Sequence, residues 1–199
     1  MTSNPHRRAV LLGASALVTV AALPVQALST NQARDLIDQV VGEITSVINS
    51  GKSEAAMYRD FEQIFNRYAD VPTISRSALG PPARTASSSQ LKRFSVAFTG
   101  YLARKYGRRF REFIGGTVSV TDARQVKSFQ EVRAVAKLRG QAPFQISFMV
   151  SDRSGSDKFF DLLIEGISLL KSERAEIGAL YDASGRDIDR LIQRLNGIG

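Results

Sequence analysis

The chain has 199 residues, and its 27 lysines and arginines against 19 acids leave a formal charge of +8. It contains no cysteine and one histidine, His6, near the N-terminus. This excludes disulfide frameworks and Cys–His nucleophiles, and leaves little material for a zinc site or a Ser–His–Asp triad.

Arg7 and Arg8 precede an uncharged stretch from Ala9 to Ala22, and Val25-Gln26-Ala27 supplies small residues of the kind a signal peptidase reads. Residues 1–27 are therefore expected to be a signal peptide, and the protein to be exported. Arg7-Arg8-Ala9-Val10-Leu11 is also similar to a twin-arginine signal, so the general secretory and twin-arginine routes both stay open. Cleavage after Ala27 would remove Arg7, Arg8 and His6, leaving 25 basic residues against the same 19 acids and no histidine. No later segment reaches the roughly 18–20 uninterrupted apolar residues of a membrane span. Residues 28–199 are expected to form one domain held by its apolar core, with a helical cover over 28–114, a sheet over 115–166 and C-terminal helices over 167–199.

Thr30 is placed to cap a first helix, because Ala33, Ile37, Val40, Ile44 and Ile48 recur at spacings of three and four before Asn49-Ser50-Gly51 ends the pattern. A second helix begins at Ser53, carries Met57, Phe61, Ile64, Phe65 and Tyr68 on one side as core, and is broken by Pro72. Thr73 to Leu79 reads as a short helical turn, followed by the breaker Gly80-Pro81-Pro82 and a polar link, Arg84 to Ser89. Ser88 or Ser89 opens a long helix whose stripe is Leu91, Phe94, Phe98, Tyr101, Leu102 and Tyr106, with Arg93, Arg104, Lys105, Arg108 and Arg109 around or beyond it. Interleaved basic and aromatic residues can hold single-stranded nucleic acid, but these aromatics share the apolar face and are expected to be buried. Export argues further against a nucleic-acid partner.

Gly115-Gly116 opens a short strand, Thr117 to Thr121, and Asp122-Ala123-Arg124 is expected to turn it into a long strand from Gln125. There Val126, Val132, Ala134, Ala136 and Leu138 share one parity, and Lys127, Glu131, Arg133, Lys137 and Arg139 the other. Phe144, Ile146, Phe148 and Val150 alternate with Gln145, Ser147 and Met149, and Phe160, Leu162 and Ile164 add a third apolar row. With turns at 140–143 and 152–155 the fold class is α+β: a curved antiparallel sheet of about four strands, its one apolar face covered by helices. After Ser168, Leu169, Leu170, Ile177 and Leu180 make a helical side, and Ser184-x-x-Asp187 is a variant capping box for a last helix bearing Ile188, Leu191, Ile192 and Leu195.

Several short pieces in order carry a family resemblance. Asp70-Val71-Pro72-Thr73-Ile74-Ser75-Arg76, Leu79-Gly80, Arg84-Thr85-Ala86-Ser87, Gln90, Phe94, and Glu165-Gly166-Ile167-Ser168 with Arg174 resemble the pattern of the MlaC-like periplasmic phospholipid-binding proteins, the toluene-tolerance family. The resemblance implies a soluble periplasmic carrier without cofactor, passing phospholipid between an outer-membrane lipoprotein complex and an inner-membrane ABC transporter complex. It further implies a monomer whose single domain, 28–199, holds two acyl chains between a sheet similar to the nuclear-transport-factor-like (NTF2-like) cone and a helical cover. A branch of the family is associated with hopanoids, an alternative ligand. Two positions depart from the pattern: Pro81-Pro82-Ala83 where bulky aromatics are common, and Glu173 where a Tyr often precedes the Arg.

On this reading Ile74, Leu79, Phe94, Phe98, Leu102, Val132, Ala134, Phe148, Leu162 and Ile164 line the cavity, the small Ala134 and Val132 leaving room that larger neighbours enclose. Arg76, Arg84, Arg104 and Lys105 are candidates to meet anionic headgroups or acidic docking partners. A competing reading makes the cone an active site with Asp161 and Glu165 as a carboxylate pair. Their strand parity is opposite to that of Phe160, Leu162 and Ile164, so both acids are expected outside the pocket and no catalytic residue is assigned.

Overall fold

The computed structural model describes residues 27–198; residues 1–26, which hold nearly all of the expected signal peptide, lie outside them. Helix α1 (Thr30–Ile48) is capped by Ser29 and not by Thr30: Ser29 Oγ accepts from the Gln32 amide while Gln32 Oε1 accepts from the Ser29 amide. After α2 (Glu54–Tyr68), Asp70 caps α3 (Val71–Leu79), and Pro72 lies in its first turn, where a missing N–H leaves no helical bond unmade. A 3-10 turn (Pro81–Arg84) and a second reciprocal box, Ser87 with Gln90, lead into α4 (Ser88–Gly107). Another 3-10 turn, Arg108–Phe113, joins it to the sheet.

The sheet is an open antiparallel meander of five strands in sequence order: β1 (Thr117–Val126), β2 (Phe129–Lys137), β3 (Phe144–Ser151), β4 (Lys158–Ile164) and the two-residue β5 (Ile167–Ser168). The α+β class and the antiparallel sheet of about four strands are as expected, with the two-residue β5 as a short fifth strand, but the first hairpin is displaced. The chain does not turn at Asp122–Arg124. β1 passes through with one extra residue between Val120 and Asp122, a bulge, and reverses at Lys127–Ser128 with Lys127 at φ 54°. A second bulge shifts the β3–β4 register between Met149 and Val150, so that Phe159 pairs with Val150 and Phe160 is the extra residue. Bulges bend the strand that carries them and curve the sheet. Glu165 and Gly166, both at positive φ, make the tight turn into β5.

Helices α5 (Leu169–Ala183) and α6 (Ile188–Gly197) close the chain. Asp187 caps α6, whereas Ser184 ends α5 and takes no part in a capping box. One face of the sheet is buried. Helix α1 lies over β1 and β2, and Ala33, Ile37 and Val40 of α1 share one core with Val132, Ala134 and Ala136 of β2, all at most 1 % exposed. Helix α4 packs between α2 and α6, and α3 packs on α4 and α5. The start of the described chain is fastened to the sheet: the Leu28 amide donates to Asp152 Oδ2 at 2.9 Å, and Gln130 Nε2 donates to the Leu28 carbonyl at 3.0 Å. Among the described residues no helix is long and apolar enough to cross a membrane.

Candidate functional site

The other half of the buried sheet face, toward β3 and β4, is not filled. A cavity of about 580 Å³ lies there, inside the about 300–1,000 Å³ range of ligand pockets and far above the voids of an ordinary core. Its floor is Phe144, Ile146 and Phe148 of β3 with Phe160, Leu162 and Ile164 of β4. Its walls are Val40, Val41 and Ile44 of α1, Phe61, Ile64 and Phe65 of α2, Phe98 and Leu102 of α4, and Leu169 and Leu170 of α5. Edge-to-face ring contacts, Phe148 on Phe159 at 6.1 Å, Phe65 on Phe159 at 5.8 Å and Phe113 on Phe144 at 6.3 Å, brace the rings against one another and hold them off the space between. The lining residues that are themselves exposed are Thr45, Asn49, Arg109, Glu112, Thr117 and Gln141. The cavity therefore opens between the end of α1, the 3-10 turn after α4 and the sheet end that holds the β2–β3 turn.

Of the ten residues expected at the cavity, Ile74, Phe98, Leu102, Phe148, Leu162 and Ile164 line it. Leu79, Phe94, Val132 and Ala134 do not; they are buried in solid packing, each at most 3 % exposed. The reason for Val132 and Ala134 is instructive. Small side chains on β2 did not leave a void; they let α1 approach the sheet closely. The space opens instead under the large residues of β3 and β4, where rings keep the covering helices away.

The four basic residues expected to meet headgroups or docking partners lie in different surroundings. Arg104 is a structural clamp: its Nη2 donates to the carbonyls of Leu195 at 2.6 Å and Ile198 at 2.9 Å, and its Nε to Ile198 at 3.1 Å, fastening the end of α6 to α4. Arg76 and Arg84 are exposed and away from the cavity lining. Lys105 alone of the four reaches the wall. The expectation for the two acids is half overturned. Asp161 does border the cavity, but its Oδ1 accepts from the Leu162 and Leu170 amides and its Oδ2 from Ser168 Oγ, so it serves the start of α5. Glu165 accepts from the Gln145 amide at the turn, and the two carboxylates share no partner.

The cavity's polar feature was not foreseen. Glu173, on α5, is 3 % exposed and lies in the wall. Its Oε1 accepts from Lys105 Nζ at 2.7 Å and from Tyr106 Oη at 2.5 Å, while Lys105 also donates to Glu176 Oε2 at 2.5 Å and Tyr101 Oη donates to Glu176 Oε1 at 2.6 Å. These bonds strap α4 to α5 along one side of the cavity. Burial first, then the bond to Glu173, pushes the Tyr106 phenol well above the ordinary tyrosine value; burial and the bond to Glu176 do the same to Tyr101. Burial opposes the Lys105 ammonium, but its bonds to Glu173 and Glu176 outweigh that and hold it above the usual lysine value. All three groups have folded values above their unfolded ones. Their stabilisation is complete below about pH 10, the ordinary tyrosine value, and is lost as pH rises further. Urea unfolding between pH 8 and 12 is expected to show stability falling above about pH 10, with a shallower fall in Tyr106→Phe; parallel curves for the two proteins would contradict this account of the strap.

Comparisons agree with this geometry. The family model described as MlaC protein matches residues 38–197. The toluene tolerance protein ttg2D of Pseudomonas putida is 22 % identical over 184 residues, covering 88 % of this chain and 85 % of that protein. Among solved structures, the phospholipid-binding protein of Ralstonia solanacearum, determined in complex with a phospholipid, superposes with a TM-score of 0.71 at 19 % identity, covering 83 % of this chain and 95 % of that one.

Proposed function

The chain belongs to the MlaC protein family, and from that premise we propose that it is a phospholipid carrier that holds acyl chains in the cavity between β3–β4 and the helices. The observation that carries this reading is the cavity itself: about 580 Å³, walled mostly by rings and branched aliphatics, its charged and polar lining residues lying at the opening and on one strap apart from Thr99 and Asp161. A cavity of this kind holds hydrocarbon without specific polar contacts. Burying about ten methylenes at about 0.8 kcal/mol each supplies about 8 kcal/mol, a micromolar affinity. Such an affinity is tight enough to keep a lipid out of water and weak enough to release it.

The reading extends to a place of work. We infer an exported, periplasmic, single-domain protein (28–199) that takes lipid from one membrane complex and delivers it to another, the partners being an outer-membrane lipoprotein complex and an inner-membrane ABC transporter complex. The relatives support this, as do the N-terminal residues 1–27, which have the composition of a signal peptide. Two exposed apolar side chains lie at the sheet end that borders the opening: Ile114, 51 % exposed, just before β1, and Ile167, 65 % exposed, in β5. Such residues fit a transient docking rim. The carrier reading also uses no catalytic group, in keeping with Asp161 being spent on capping α5.

The test is organic extraction of the protein purified from cells expressing the full-length chain, followed by mass spectrometry. Phospholipid near one molecule per protein is expected. Protein recovered free of lipid, and unable to take any up from vesicles, would overturn the proposal.

A further inference from the structure

Glu173 is an ionisable group in a place that acyl chains alone do not explain. Its carboxylate sits in the wall of an apolar cavity, its side chain is 4 % exposed, and only one of its oxygens is engaged. Oε1 takes bonds from Lys105 and Tyr106. Oε2 is buried and has no hydrogen-bond partner among the described residues. The Tyr101 hydroxyl gives its proton to Glu176 Oε1 at 2.6 Å and so has none to offer Glu173. The charges point the same way. One ammonium, Lys105, is shared between two carboxylates, Glu173 and Glu176, so the strap is short of one positive charge and of at least one donor. A buried carboxylate oxygen without a partner is unfavourable, and the group best suited to satisfy it is an N–H or O–H arriving with the ligand.

We propose that Glu173, held in place by Lys105 and Tyr106, is the acceptor for a hydrogen-bond donor on the cargo, an ammonium or hydroxyl group next to the lipid's apolar body. The assignment rests on the carrier reading and refines it: the cavity walls take hydrocarbon of any kind, and the strap selects the polar end. Lys105 and Tyr106 are positioning residues here, since they orient the carboxylate and occupy its other oxygen. Lipids with a donor-free head, such as a trimethylammonium group, leave Oε2 unsatisfied and bind more weakly. A charged hydrogen bond in a dry site corresponds to roughly a tenfold preference.

The experiment uses delipidated full-length-expressed protein and vesicles containing equal amounts of phosphatidylethanolamine, phosphatidylglycerol and phosphatidylcholine with identical acyl chains. Bound lipid is identified by mass spectrometry after the protein is re-isolated. The wild type is expected to enrich ethanolamine or glycerol lipid over choline lipid roughly tenfold; the ratio of the first two tells ammonium from hydroxyl. In Glu173→Gln the amide oxygen still accepts from Lys105 and Tyr106, but an N–H₂ replaces the free acceptor, so the ratio of ethanolamine or glycerol lipid to choline lipid should fall to about one. Equal uptake of all three lipids by the wild type, or the same preference in the variant, overturns the assignment and leaves the carrier reading standing. Uptake of no lipid by either protein overturns both. A variant that fails to fold does not rescue the idea, because the wild-type ratio alone decides it.

Discussion

Phe94→Ala is expected to lower the unfolding free energy by about 3–5 kcal/mol, the usual cost of removing a fully buried ring, and so to lower Tm by roughly 10 °C or more. Phe94 is fully buried and stacks on Phe98 at 5.6 Å, yet it does not border the cavity. The remaining folded protein should therefore carry the same amount of lipid as the parent. Differential scanning calorimetry with parallel lipid extraction checks both halves of the statement. A stable Phe94→Ala protein that has lost its lipid would show that Phe94 belongs to the binding surface after all.

The complementary change is Leu102→Trp. Leu102 lies one helical turn beyond Phe98 on the same wall, borders the cavity, and is only partly buried against protein. An indole there projects into free space, so Tm should be unchanged or raised, while the room for hydrocarbon shrinks. Displacing about three methylenes removes about 2.4 kcal/mol of transfer free energy, roughly a fiftyfold loss of affinity. Vesicle-uptake titrations read this directly. Undiminished uptake by a folded Leu102→Trp protein would mean that lipid, if it binds, binds elsewhere.

The contrast between those two residues bounds how far the sequence could be read. Both sit on one helical stripe with Tyr101 and Tyr106, and periodicity placed all of them on the covered face. It could not say which of them would meet protein and which would meet space, because that depends on how close each neighbouring element comes. The β2 row shows the same limit. Alternation identified Val132, Ala134 and Ala136 as inward, and they are, but small side chains were taken to leave room when they instead admitted α1. The turn at Lys127–Ser128 was illegible for a different reason. No Gly, Pro or Asn marks it, and a lysine at φ 54° carries no sequence signal, while Asp122 at the bulge interrupts the alternation and imitates a turn.

Glu173 could have been found. It stands four residues after Leu169 and four before Ile177, on the inward side of α5, so the apolar spacing itself placed an acid where an apolar residue was due. What the pattern lacked was its partner set, since Lys105 and Tyr106 precede it by 68 and 67 residues and meet it only in the folded chain. The cap of α1 was legible to within one residue and that of α4 to within two, while Pro72 marked the end of α2 but was read as lying before the next helix, whose first turn it occupies.

The fastening of Leu28 would change character if the chain were cut after Ala27. In the uncut chain the group facing Asp152 is an ordinary peptide amide. Were a peptidase to cut after Ala27, that same nitrogen would become a free α-amino terminus, protonated near neutrality, and its contact with the Asp152 carboxylate would change from a neutral donor to an ion pair. Such a cut would then tighten the seam where the described chain begins, and a protein with residues still attached ahead of Leu28 would go without that reinforcement.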